Sequence, residues 1–272
     1  MPATNYTATA PSGTTLVGGG INVKNDMGIL LIGDSNMCGA GGGTKPVLVN
    51  AIWQWDNDTN TITQLNGSSP VFNHTLNSGL NEVGPDTSFC DRYATERGSG
   101  YRVVGLPCGD SGSGFSTAQW YDGQQMYELM QQITNEFLAS DRRNKIGAVL
   151  IVLGANDIGD FTPVSNWSVA LDTLIDAIRS TAFVYNDAQQ NLSKTPVIVC
   201  GTAPEWYVIA SNRQDIQTEI EGTPARKTYT GYATTAGLAS EAGDLIHLSG
   251  AANITLGGTN AWTALLAAEA NT

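Results

Sequence analysis

Apolar residues along this chain fall into short unbroken runs separated by stretches with helical spacing. Met27 to Ile32 is a continuous apolar run closed by Gly33, the pattern of a strand buried on both faces. Tyr101 to Leu106, Ile146 to Leu153 and Pro196 to Cys200 repeat that pattern. Helices are predicted between them over 86–97, with Phe89, Cys90 and Tyr93 facing inward, and over 120–138. In a further helix Leu171, Leu174, Ile175 and Ile178 recur at i, i+3, i+4 and i+7. Residues 223–242 and 260–270 are also read as helices. Residues 51–65 alternate apolar and polar on both sides of Asp56 to Asn60, which predicts a β-hairpin. Residues 1–26, rich in Thr, Gly, Ala and Pro, lack periodicity and read as an arm or linker. Strands alternating with helices predict a three-layer α/β/α sandwich with a central parallel sheet. It forms one domain over 27–272, into which the hairpin is inserted. No internal repeat is present.

Composition narrows the partners. The chain has 272 residues, 41% of them hydrophobic, enough for a sizeable core. Only 14% are charged and the net charge is −12, so the surface draws its polarity from Asn, Thr, Ser, Gln and Gly. An acidic surface repels phosphate backbones, which disfavours nucleic acid and anionic membranes as partners. No apolar run is long enough to span a bilayer. Met1 to Asp26 has neither the basic start nor the apolar centre of a signal peptide. Asn-x-Ser/Thr triplets begin at Asn5, Asn57, Asn66, Asn73, Asn166, Asn191 and Asn253, as chance predicts in a chain rich in Asn and Thr. Cys38, Cys90, Cys108 and Cys200 include no C-x-x-C pair, so no zinc site is expected. Buried thiols are the expected state, with one or two bridges as the alternative.

In open parallel sheets ligands bind beyond the carboxyl ends of the strands. The loops beginning at Gly33, Pro107, Gly154 and Gly201 should therefore share one cleft. The first reads Gly33-Asp34-Ser35-Asn36-Met37: a serine at a sharp turn after a buried strand, expected to open a helix and expose its hydroxyl. Taken alone it is equally an N-cap. Asn156, in Gly154-Ala155-Asn156-Asp157, follows the most apolar strand and either aims an amide into the cleft or forms a turn. The chain has two histidines, His74 and His247. Only His247 has a carboxylate at short fixed spacing, Asp244. On a loop, that spacing lets the acid fix the imidazole tautomer and leave Nε2 for a serine.

Ser35, a glycine after the second strand, Asn156 and Asp244-x-x-His247 occur in the block order of the SGNH/GDSL hydrolases, which the chain resembles over residues 28–258. Gly33-Asp34-Ser35-Asn36-Met37 looks like the Gly-Gln-Ser-Asn-Met of the sialate O-acetylesterase and acetylxylan-esterase-like branch. Gly84-Pro85 with Phe89, Ser113-Gly114 with Trp120, and the hairpin carrying Trp53 and Trp55 also resemble that branch. Asp34 stands where the branch has Gln, and Ser113 where it has its first Gly. The resemblance implies a flavodoxin-like fold and a serine esterase acting on small acyl groups, acetyl on carbohydrates foremost, without metal or organic cofactor. It implies Ser35 as nucleophile, His247 as base and Asp244 as its orienting acid. The oxyanion would be met by Ser35, Asn156 and Gly114, with Gly112 as the alternative glycine.

Asp34, Trp120 and Trp206 are candidate substrate contacts. Trp53, Trp55, Trp120, Trp206 and Tyr207 either line a sugar platform or belong to the core. Gly109-Asp110-Ser111 repeats the Gly-Asp-Ser triplet, but a nucleophile at Ser111 would break the block order. Rival functions are a lipase or thioesterase on the same fold, and a non-catalytic glycan-binding module of a cell-surface or phage tail assembly. An extracellular or virion-associated setting is favoured over the cytoplasm.

Overall fold

The computed structural model describes residues 25–65, 71–74, 82–157, 161, 163–180 and 192–272. The arm expected over 1–26 lies outside these, except for Asn25 and Asp26, which belong to the first strand. That strand, β1 (Asn25–Gly33), is central. It is flanked in parallel by β4 (Tyr101–Gly109) and β5 (Lys145–Val152). Its start is fixed by Arg102, whose Nε and Nη2 donate to the Asp26 carboxylate at 2.7 and 2.6 Å. Beyond β5 lie β6 (Val197–Cys200) and the edge strand β7 (Thr230–Ala233), both parallel. On the other side β2 (Trp53–Asp56) pairs parallel to β4, and β3 (Thr61–Gln64) returns antiparallel. The sheet therefore runs β3-β2-β4-β1-β5-β6-β7.

Successive side chains of a strand point to opposite faces, so continuous apolar runs feed two cores. Leu30, Ile32, Leu106 and Ile151 pack with Met130, Ile133 and Phe137 of α2 (Gln125–Ser140), and with Leu171, Leu174, Ile175 and Ile178 of α3 (Ser165–Arg179). Ile29, Leu31, Val103 and Leu150 face the other way. They pack with Phe89, Cys90 and Tyr93 of α1 (Pro85–Arg97) and with Leu265 of α8 (Trp262–Ala270). Each fully buried side chain of this size contributes roughly 1.5–3 kcal/mol of hydrophobic stabilisation. The result is the three-layer α/β/α sandwich with a mostly parallel sheet. Trp55 is core, edge-on to Phe137 at 5.9 Å, while Trp53 lies beneath the Arg102 guanidinium at 4.8 Å.

Several elements differ from the pattern reading. The helix expected from Trp120 starts at Gln125, because Gly123 (φ 78°) breaks the helical path. Trp120 is instead held inside by its indole N–H, which donates to Ser113 Oγ at 3.1 Å. The helix expected over 223–242 is confined to α6 (Thr223–Arg226), after α4 (Pro204–Tyr207) and α5 (Ser211–Glu221). Beyond it the chain extends as β7, since β6 offers a free edge and Gly231 lets the backbone of α8 approach. A Cβ at Gly231 would stand 2.0 Å from the Ala264 carbonyl oxygen. Asp244 to His247 is not loop but strand: β9 (Asp244–Leu248) pairs antiparallel with β8 (Ser240–Glu241) in a separate two-stranded sheet. The chain then continues as α7 (Gly250–Thr255), one wide π-helical stretch over Leu256–Ala261, and α8.

β1, β4 and β5 end level, Gly33 beside Gly109 and Val152. The ladder continues past their ends, Asp34 N–H donating to Val152 O and Asp110 N–H to Gly33 O, both at 3.0 Å. Gly154 turns the chain out of β5 at φ +121°, with Ile216, Ile220 and Trp167 within 3.1–3.3 Å of where a Cβ would sit. Gly154→Ala is therefore expected to cost about 1–3 kcal/mol of stability. Urea unfolding checks this: the midpoint should fall with the m-value unchanged.

Candidate active site

The turn after β1 carries Ser35, buried at the strand end. Residues 35–40 form successive turns rather than the expected helix. Cys38 N–H donates to Asp34 O, and Ala40 N–H to Ser35 O, before Gly39 leaves the helical path at φ +82°. From the far end of the chain, β9 brings His247 over this turn. Its Nε2 lies 2.7 Å from Ser35 Oγ and its Nδ1 2.6 Å from Asp244 Oδ2. The hydroxyl, imidazole and carboxylate are thus in line. Burial opposes ionisation of Asp244. The hydrogen bond and charge of His247, with the Ile246 and His247 N–H groups, outweigh it and hold that carboxyl below its usual range. His74, the other histidine, is buried against Asp86 at 3.0 Å and makes no hydrogen bond to Ser35 among the described residues. Ser111 stands exposed in the turn after β4, and neither imidazole is hydrogen-bonded to it.

Asn156 lies beside Ser35's turn, at the end of β5. One hydrogen of its amide goes to Ser113 O at 3.1 Å, and the second has no partner among the described residues. Gly114 N–H donates to Thr117 Oγ1 at 3.0 Å, whereas no hydrogen bond from Gly112 N–H or Ser35 N–H is seen among the described residues. Of the three candidate substrate contacts, Asp34 and Trp120 are each 1% exposed and turned into the protein. Trp206 is half-buried on α4. Its Nε1 donates to Ala155 O at 3.2 Å, and the Arg213 guanidinium covers its ring at 3.3 Å. The loop after Gly201 thus joins the cleft through Trp206.

Several residues that hold the site together lie inside or beside the motifs without a role the sequence marks. Asp157 is fully buried: Oδ1 accepts Ser116 N–H at 2.8 Å and Oδ2 the Trp167 indole N–H at 2.6 Å, tying the β5 loop to the β4 loop. Ser113 Oγ donates to Gly33 O at 3.2 Å and accepts from Trp120, tying the β4 loop to β1. Asn36 reaches across to β9 with both ends of its amide. The available signal was position alone, since each directly neighbours a recognised residue or, for Ser113, a candidate glycine. Burial raises the thiols of Cys90, Cys108 and Cys200, and all four cysteines are buried without disulfides. Among the described residues no side-chain cluster could hold a metal, and no helix is long and apolar enough to cross a membrane.

The fold is thus a mostly parallel α/β sandwich with Ser35 at the end of its central strand and His247 and Asp244 in hydrogen-bonded series beside it. A family model described as carbohydrate esterase, sialic acid-specific acetylesterase, matches residues 26–265, and the chain belongs to that family. It is therefore a carboxylic ester hydrolase of the carbohydrate acetylesterase class. Solved structures share the fold. A protein from Arabidopsis thaliana has a TM-score of 0.69 at 22% identity, covering 89% of this chain and 98% of that one. NanS has a TM-score of 0.65 at 14% identity, covering 90% and 97%. A carbohydrate esterase family 2 enzyme with a carbohydrate-binding domain from Corynascus thermopiles has a TM-score of 0.50 at 18% identity, covering 93% and 68%. No curated protein sequence matches.

Asp34 carries a testable electrostatic signature. Burial foremost, and the Asp157 charge, raise its carboxyl from 3.8 to about 7, against the Asn36 and Ala155 N–H groups that favour the anion. Its Oδ2 has no hydrogen-bond partner among the described residues. A raised pKa means that the folded state prefers the protonated acid, so stability is full below pH ~4 and is lost as pH rises through about 7. Asp34→Asn should gain on wild type as pH rises from 4 to 8, by up to about 4 kcal/mol. Paired melting curves across that range check it, and a difference that stays flat with pH refutes it.

Proposed function

We propose that Ser35, His247 and Asp244 form the catalytic triad by which this protein removes O-acetyl groups from carbohydrates. The observation that carries the reading is the 2.7 Å contact of His247 Nε2 with Ser35 Oγ, backed by the 2.6 Å contact of Nδ1 with Asp244. Ser35 Oγ attacks the acetyl carbonyl while Nε2 takes its proton, and Asp244 stabilises the imidazolium. The tetrahedral oxyanion is met by the Ser35 N–H and by the second hydrogen of the Asn156 amide. A third donor comes from the 110–114 turn: Gly114 once Thr117 Oγ1 gives way, or Gly112 with its N–H already open. His247 then protonates the departing sugar hydroxyl. Water, activated by the same imidazole, releases acetate and restores Ser35.

Trp206, half-buried with Arg213 over its ring and hydrogen-bonded to the β5 loop, is an aromatic side chain that could meet the sugar at its exposed edge. Asp34 and Trp120 contribute by shaping the loops from beneath rather than by touching substrate. The family's description and the small turn-built site favour acetyl over long acyl chains.

Acetate release from O-acetylated sialic acid and acetylated xylan, beside hydrolysis of a long-chain ester, tests the reading. Ser35→Ala should abolish turnover, by about 10⁴-fold or more. Asn156→Ala should lower kcat about 10²–10³-fold. Ser111→Ala should leave it unchanged. Preference for the long-chain ester overturns the carbohydrate reading, and an active Ser35→Ala protein overturns the triad.

A further inference from the structure

We propose that Asn36 is a positioning residue whose side-chain amide sets the register of the histidine strand against the nucleophile turn. This inference rests on the triad reading. The β9 strand is not part of the main sheet. Its strand pairing is with two-residue β8, so the sheet that fixes Ser35 does not by itself fix His247. Asn36 supplies the link. Its Nδ2 donates to Ile246 O at 3.2 Å, and its Oδ1 accepts Leu248 N–H at 2.9 Å. These two backbone groups stand on either side of His247. The amide bonds the strand as a neighbouring strand would, on the edge that faces Ser35. Apart from the Ser35–His247 contact itself, these are the hydrogen bonds joining residues 33–44 to β9 among the described residues.

Other anchors of β9 run to different elements. Asn253 Nδ2 donates to Leu248 O at 3.3 Å, Ser249 N–H to Ala239 O at 3.0 Å, and Ser240 Oγ to Leu245 O at 3.0 Å. They hold the strand's ends and outer edge, and Leu248 is buried in the second core, but none of these bonds ties the strand to the Ser35 turn. Asn36 is itself well placed to resist that. It is 2% exposed, and its own N–H donates to Asp34 Oδ1 at 2.9 Å, which fixes the turn from which the amide projects. A buried amide with both ends engaged has little freedom to reorient, and asparagine supplies donor and acceptor on one short planar group. Aspartate lacks the donor. Alanine lacks both.

The prediction follows from the sensitivity of proton transfer to geometry, where a displacement near 1 Å lowers rate about 10²-fold. Wild type, Asn36→Ala and Asn36→Asp are compared for kcat and KM in acetate release, for rate of fluorophosphonate labelling at Ser35, and for melting temperature. With Asn36→Ala, kcat should fall about 10–10²-fold and labelling in parallel, while KM stays within about twofold. Asn36→Asp, which keeps the acceptor for Leu248 N–H, should fall less than Asn36→Ala. If Asn36→Ala does not fold, the kcat and labelling rate of Asn36→Asp decide: a kcat loss above about threefold with KM held supports the proposal. Either variant folding with kcat within twofold of wild type overturns it, as does a loss carried by KM. So does a kcat loss that disappears on cooling well below a lowered melting temperature, which marks a purely structural role. Wild type that neither labels at Ser35 nor releases acetate refutes the triad reading instead, so the two failures are distinguishable.

Discussion

An imidazole must be held within hydrogen-bonding range of a hydroxyl 212 residues away along the chain. The two groups belong to separately built parts of the molecule. Ser35 follows the strand at the centre of the seven-stranded sheet, where two cores and two parallel neighbours leave its backbone almost no freedom. His247 sits on a short strand outside that sheet, with its side chain one-fifth exposed. The rigid half of the site comes from hydrophobic burial. The adjustable half depends on polar contacts, which are directional and lose their effect over a fraction of an ångström.

Polar groups buried under the strand ends serve the same need. Asp157, Ser113 and Asn36 each bond backbone groups of a different loop, so the loops after β1, β4 and β5 and the β9 strand behave as one unit. Each group is buried with partners, as burial of polar atoms requires. Asp34 departs from that rule. One of its oxygens is orphaned among the described residues, and burial keeps the acid near half-protonation at neutral pH. A site that holds an imperfectly satisfied carboxyl directly before its serine trades stability for the shape of that turn. Trp120 and Trp55, which could have been read as sugar platforms, are spent on the core, and Trp206 is left at the rim.

Much of this architecture was readable from residue order. Continuous apolar runs gave the parallel strands, since only a strand covered on both faces tolerates them. The i, i+3, i+4, i+7 spacing gave α3, and the alternation about Asp56 to Asn60 gave the hairpin. The misread stretches are those where local preference is weak and distant partners prevail. Residues 230–233 extend because β6 has an edge to fill and α8 a backbone to pack against Gly231. The β9 strand forms because β8 lies beside it. α2 begins at Gln125 rather than Trp120 because Gly123 takes a positive φ, which hydrophobic periodicity does not encode.

The same division runs through the site. Residue order pointed to Ser35, Asn156, Asp244 and His247 only through the block order of a family, since each short motif taken alone is equally a cap or a turn. The sequence also determined the four central parallel strands, because continuous apolar runs must be buried on both faces, whereas the edge strand β7 was decided by its neighbours. Three-dimensional packing alone settled which N–H groups remain open, that Asp34 and Trp120 face inward, and that Asn36 spans to the histidine strand. Those outcomes depend on distances between segments remote in the chain, and periodicity along one dimension carries no record of them.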